Sequence, residues 1–155
     1  MCDQSFWETL AVYDGPLWAS HSNCRKFVSH NRQFDDSQIK VLFERGSVIG
    51  MAFDAWMMTS NWQRGINDPK ESGLVLETII EHIDHICQLA GNSNHVMIGS
   101  DLDGGFGKEQ CPHDLETIAD IQKFDSLLKN RGYSKGDIEN ILSKNGINFL
   151  IKNLP

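Results

Sequence analysis

The sequence predicts an α/β fold in which parallel strands are covered by outer helices, and three observations predict it. Three short apolar runs, residues 17–20, 47–53 and 95–99, are the right length for buried strands. Amphipathic stretches of helical period alternate with them, the order expected of strand–helix–strand units. Each apolar run ends in polar, chemically capable residues, and in parallel arrangements such ends gather at one mouth.

The elements follow in order. Gln4 to Tyr13 reads as a helix with Trp7, Leu10 and Ala11 on one face, stopped by Asp14-Gly15-Pro16. Leu17 to Ser20 forms the first strand and ends at His21. Asp35-Asp36-Ser37 can cap a helix over 36–45 with an Ile39, Leu42, Phe43 stripe, and Gly46 ends it. Ser47 to Phe53 is nearly all apolar, as in a strand covered on both faces. Residues 54–72, rich in Trp, Asn, Asp and Gly, read as irregular and too polar to join the core. Leu74 to Ala90 is the clearest helix, with Ile79, Ile80, Ile83 and Ile86 at helical spacing and Gly91 after it. His95 to Gly99 is the third strand, followed by a long loop to about residue 114. Phe124, Leu127 and Leu128 mark a further helix, and Ser134 with Asp137 makes a capping-box start for the last one.

Size and charge narrow the functions. The chain has 155 residues, against roughly 250 for a barrel of eight strand–helix units, so it has room for three or four. It reads as one domain over residues 1–155. A formal charge of -7 without a basic cluster argues against a nucleic-acid partner. No run approaches the length of a membrane span, and no signal peptide opens the chain. The four cysteines include no CxxC pair; read as free thiols, they favour a reducing compartment and hence the cytoplasm.

The strand ends carry Ser20-His21-Ser22-Asn23, Phe53-Asp54, and Gly99-Ser100-Asp101-Leu102-Asp103-Gly104-Gly105. A neutral imidazole suits a metal ion, and a nearby carboxylate can accept a proton from water and return it to a leaving amine. Asp101 to Gly105 resembles the start of a calcium loop, but Gly105 and Pro112 stand where oxygen ligands are needed. His82 and His85 are three apart on the long helix, which favours packing and hydrogen bonding over a metal pair. His30 is open to a pocket or a solvent role, Arg32 to a surface pair with Asp35 or Asp36, and Trp56 and Trp62 to covering a mouth.

Taken together, Ser20-His21-Ser22-Asn23, Asn31-Arg32-Gln33, Gly46-Ser47-Val48-Ile49-Gly50, His82-Ile83-Asp84-His85-Ile86 and Gly99 to Gly104 closely resemble the renal or membrane dipeptidase family. The resemblance implies part of a TIM-type (β/α)8 barrel of the metal-dependent hydrolase kind, about three C-terminal strand–helix units. It implies zinc-dependent hydrolysis of dipeptides, with two zinc ions in a complete relative. Residue by residue, it casts His21 as a metal ligand, Asp101 as the catalytic proton carrier, Arg32 as the group that holds substrate, and Asp103 and Gly104 as pocket wall. The family's first-strand His-x-Asp, bridging glutamate and fifth-strand histidine have no counterparts, so the expected zinc site is incomplete. Met1 to Ser5 resembles the segment after that fifth-strand histidine. The expectation is therefore of a C-terminal half only, a fragment with little activity alone. Assembly with a separate N-terminal half, a homo-oligomer, and a degraded copy remain open. Ser143 to Phe149 carries an apparent extra residue or two against the family's pattern.

Overall fold

The computed structural model describes residues 2–155; the expectation placed on Met1 lies outside them. Its centre is a three-stranded parallel sheet in the order β1 (Trp18–Ala19), β2 (Val48–Ala52), β3 (Val96–Ser100). Trp18 pairs with Val48 and Ile49 with Val96, and the register slips between Met51 and Ala52. Helices α1 (Asp3–Val12), α2 (Asp36–Glu44), α4 (Glu77–Ala90), α5 (Lys123–Asn130), α6 (Lys135–Glu139) and α7 (Asn145–Asn153) flank it. Parallel strands under outer helices are what the alternating pattern predicts, and their partial, open (β/α) barrel-like arrangement is what the family resemblance implies.

Local chemistry explains the boundaries. Asp35 caps α2 by accepting from the Ser37 and Gln38 amides, while the Gln38 side chain returns a bond to the cap. Gly46, at φ 63°, ends that helix in the left-handed conformation that glycine adopts without a Cβ clash. The α4 stripe of Ile79, Ile80, Ile83 and Ile86 is buried, each side chain contributing roughly 1.5–3 kcal/mol relative to exposure. β2 is buried along its whole length, as its apolar run implies.

Two segments differ from expectation. Residues 54–72 are not wholly outside the core: Ala55–Met58 forms a short helix, α3, that buries Ala55, Met57 and Met58. The stretch near Ser143, where the sequence departs from the resembled pattern, holds a π-helical turn over Asn140–Lys144, between α6 and α7. A π turn takes in an added residue without breaking the helix. It carries Asn145 to the far edge of β3, where its side-chain amide donates to the Ser93 and Val96 carbonyls at 2.6 and 2.7 Å. That edge of β3 is capped where it begins. Among the described residues, no helix is long and apolar enough to cross a membrane.

Candidate active site

The three strands end side by side, and the polar residues meet there. His21 follows β1 and Asp101 follows β3, with β2 between them, yet His21 Nε2 lies 3.9 Å from Asp101 Oδ1. Two glycines permit the approach. The Ser20 carbonyl rests against Gly50 of β2 and Gly99 of β3; a Cβ there would come within 2.0 Å and 2.2 Å of that oxygen. Any side chain at either position would push the end of β1 away from the sheet. Beyond His21, the Ser22 amide donates to the Gly50 carbonyl at 2.8 Å. The buried Asn23 side chain donates to the carbonyls of Ala52 and Met57 and accepts from the Ala52 amide. His21 is thus anchored on both sides.

The imidazole itself is only half-buried. Its Nδ1 is 2.8 Å from the Ser20 hydroxyl, and 3.9 Å from Nε2 to Asp101 is too long for a hydrogen bond. Asp101 sits on left-handed backbone at φ 64°, directly after Ser100 at φ 45°. Such conformations cost roughly 1–3 kcal/mol each for residues with a side chain, and they concentrate at functional sites. The Gly104 amide turns back to the Asp101 carbonyl at 2.9 Å.

Arg32 points to the same region, donating to the His21 carbonyl at 3.3 Å. It does not pair with Asp35 or Asp36. Arg25 takes that place, bonded to Asp3 and Asp35, and His85 takes Asp36. Among the described residues Arg32 has no ion-pair partner. A cavity of about 300 Å³ opens beside it, lined by His21, Ser22 and Arg32 and by apolar Phe6, Leu10 and Leu17. Asp101, Asp103 and Gly104 are not in its wall; Asp103 and Gly104 are exposed.

The histidines of α4 are committed elsewhere. His82 accepts from the Cys24 amide on Nδ1, with Nε2 3.5 Å from the Met58 carbonyl, and burial holds its pKa down at about 4. His85 Nε2 donates to Asp36 at 2.7 Å, and Lys26 is 3.3 Å from its Nδ1. One group at the mouth was not legible in the sequence beyond its position: Asp54, the residue after β2, is a buried carboxylate bonded to the Trp56 indole at 2.8 Å and to Arg64. Burial pushes its carboxyl up, against the lowering pull of Arg64 and Trp56.

The donor set does not fit zinc. Such sites use at least three protein ligands. Among the described residues, no group of three or more His, Cys, Asp or Glu is placed to hold a metal ion. His21 and Asp101 are two, and the rings of His30, His82, His85 and His95 are turned to backbone, lysine or aspartate partners. The expectation of zinc, even in an incomplete site, is therefore corrected for this chain.

Parallel strands flanked by helices, with polar side chains gathered at their C-terminal ends, define a partial, open α/β barrel-type scaffold. The family can then be stated. The chain belongs to the membrane dipeptidase family, peptidase family M19, whose model matches residues 1–152. It is 28% identical to an uncharacterized Klebsiella pneumoniae protein encoded in the pqqA 5' region, over 97% of this chain and 51% of that protein. It is 27% identical to an uncharacterized dipeptidase of Schizosaccharomyces pombe, over 89% of this chain and 31% of the relative. Its fold superposes with a TM-score of 0.82 on a metallo peptidase from Rhodobacter sphaeroides, liganded with a phosphinate mimic of the dipeptide L-Ala-D-Ala, at 21% identity. That likeness covers 97% of this chain and 40% of the other. The family match runs along the whole chain, which corrects the expectation of a likeness to a C-terminal half only. The chain spans about half or less of the length of these relatives.

Proposed function

We propose that this chain binds a dipeptide at the strand-end mouth, and that by itself it holds the peptide rather than cleaving it. The observation that carries the reading is the convergence of His21 and Asp101 to 3.9 Å beside an Arg32 that has no carboxylate partner among the described residues. A free guanidinium fork matches the two oxygens of a peptide carboxylate. In this arrangement Arg32 receives the C-terminal carboxylate, and Asp101 faces the amide as the group suited to carry its proton. Two converging side chains supply no complete hydrolytic centre, so turnover by the chain alone is expected to be absent.

The test is isothermal titration with alanyl-alanine, alongside an assay for newly released amine with and without added divalent cation. Binding without release is the expected result, weakened about tenfold or more in Arg32→Ala, the loss of one charge-assisted bond. Absence of any binding would defeat the reading. Steady release of amine, abolished in Asp101→Asn, would replace it with a catalytic one.

A second reading, that another chain completes the sheet, is supported by the contrast between the two sheet edges. β3 is capped by Asn145, whereas β1 pairs only with β2 and leaves Trp18 exposed. Sedimentation over a wide concentration range tests assembly with a second copy, and a monomer throughout would count against it.

A further inference from the structure

We infer that the cavity beside Arg32 is a specificity subsite for a large apolar side chain on the C-terminal residue of the bound dipeptide; this rests on the dipeptide-binding reading. The cavity joins a cation to a hydrocarbon interior, and residues 32–34 make it so. Gln33 is fully buried and turned into the core, where its side chain accepts from the Asn23 amide and donates to the Met57 carbonyl, each at 2.8 Å. Its neighbours Arg32 and Phe34 both line the cavity, so one short stretch supplies the cation and an apolar wall. The Phe34 ring packs on Phe6 of α1 at 5.5 Å, which fixes that wall in place. Phe6 and Leu42 are buried and form the deep part of the lining, while Leu10, Leu17 and Phe34 are half-buried and open to an entering group.

The placement of the charged groups selects which end of the peptide enters. A carboxylate held by Arg32 belongs to the C-terminal residue, whose side chain is one carbon away from it. His21 shares the cavity wall with Arg32, whereas Asp101, 3.9 Å from His21, lies outside it. With the carboxylate on Arg32 and the amide towards Asp101, the C-terminal side chain is the one beside the opening, and the N-terminal residue lies on the Asp101 side. The lining then selects the kind of side chain. Its hydroxyls are already engaged: Thr9 donates to the Ser5 carbonyl at 2.7 Å, Ser20 lies 2.8 Å from His21 Nδ1, and Ser22 donates to the Arg32 carbonyl at 3.4 Å. A polar side chain entering there gives up water without gaining a new partner, whereas an apolar one gains by leaving water. A volume of about 300 Å³ stands at the small end of the range for ligand pockets, which suits one side chain rather than a whole peptide.

The experiment is isothermal titration of the full chain with alanyl-alanine, alanyl-leucine, leucyl-alanine and alanyl-asparagine. Alanyl-leucine should bind about 10- to 100-fold more tightly than alanyl-alanine, the range for burying the added hydrocarbon in an apolar pocket. Leucyl-alanine carries the same group on the other residue and should stay within about threefold of alanyl-alanine. Alanyl-asparagine has nearly the shape of alanyl-leucine with an amide at its tip, and it should bind no more tightly than alanyl-alanine. Thr9→Phe fills the cavity from its half-buried α1 wall and should bring alanyl-leucine to within about threefold of alanyl-alanine. Should that variant fold poorly by its thermal transition, Ala19→Leu fills the cavity from β1 instead. Equal binding of alanyl-leucine and alanyl-alanine by the wild-type chain, an equal gain from leucyl-alanine or alanyl-asparagine, or a leucine preference surviving in a folded, filled variant would each overturn the subsite alone. If none of the peptides binds, the dipeptide reading fails and the subsite with it.

Discussion

Two histidine–aspartate pairs in this molecule share a composition and differ in everything else. His85 and Asp36 tie α4 to α2 at 2.7 Å, and Lys26 lies at the second ring nitrogen of the buried imidazole. His21 and Asp101 stand 3.9 Å apart at the mouth, half-exposed, one of them on left-handed backbone. The first pair has spent its hydrogen-bonding capacity on the fold. The second has capacity left over: the two side chains are too far apart to bond each other, and what holds them in place is the backbone around them. A pair's availability for ligand is therefore read from what its remaining lone pairs and protons do, rather than from its residue types.

Four outcomes sharpen or break that contrast. The largest concerns His82, beside His85 in α4. Its folded pKa of about 4 lies below the ordinary 6.5, so below pH 6.5 the unfolded chain takes up a proton that the folded one refuses. Stability should be intact above that pH and fall by up to ~3 kcal/mol as pH drops towards 4. Urea midpoints across this window check it, and His82→Gln should flatten that part of the profile. Next, Gly50→Ala should destabilise by about 2–3 kcal/mol, because its Cβ meets the Ser20 carbonyl. The variant should also lose whatever peptide binding the native mouth has.

Third, His85→Ala should cost about 2 kcal/mol in denaturant titration, through the loss of its Asp36 and Lys26 contacts. His21→Ala should stay within about 0.5 kcal/mol of the native value. Equal losses would erase the distinction between the pairs. The smallest effect runs the other way: Asp101→Gly should raise stability by up to about 1 kcal/mol, since glycine relieves the left-handed strain. A destabilised Asp101→Gly would mean that the carboxylate serves the fold after all.

Much of the scaffold was legible because its signals are periodic. α4 announces itself by isoleucines at helical spacing, and β2 and β3 by continuous apolar runs. α3 was missed because four residues, Ala55 to Met58, are too few to show a period inside a polar segment. The oddity near Ser143 was visible as a departure from the resembled pattern, but the π turn there, which delivers Asn145 to β3, depends on packing. At the site, parallel topology predicts that His21 and Asp101 share an end. Their separation depends on the close approach at Gly50 and Gly99, which no spacing encodes. The sequence left Arg32 open to a surface pair with Asp35 or Asp36, and only the fold gives Asp35 to Arg25 and turns Arg32 to the His21 carbonyl. Asp54 was visible as a strand-end aspartate, while its bonds to Trp56 and Arg64 depend on packing. The zinc expectation came from resemblance, and the side chains brought together here do not meet it.

The central claim is best tested by following the ring signals of the six histidines by nitrogen-detected NMR while alanyl-alanine is added. The account predicts that His21 shifts, with a smaller response at His30, while His82 and His85 stay still. Movement of the α4 histidines with His21 unchanged would contradict it.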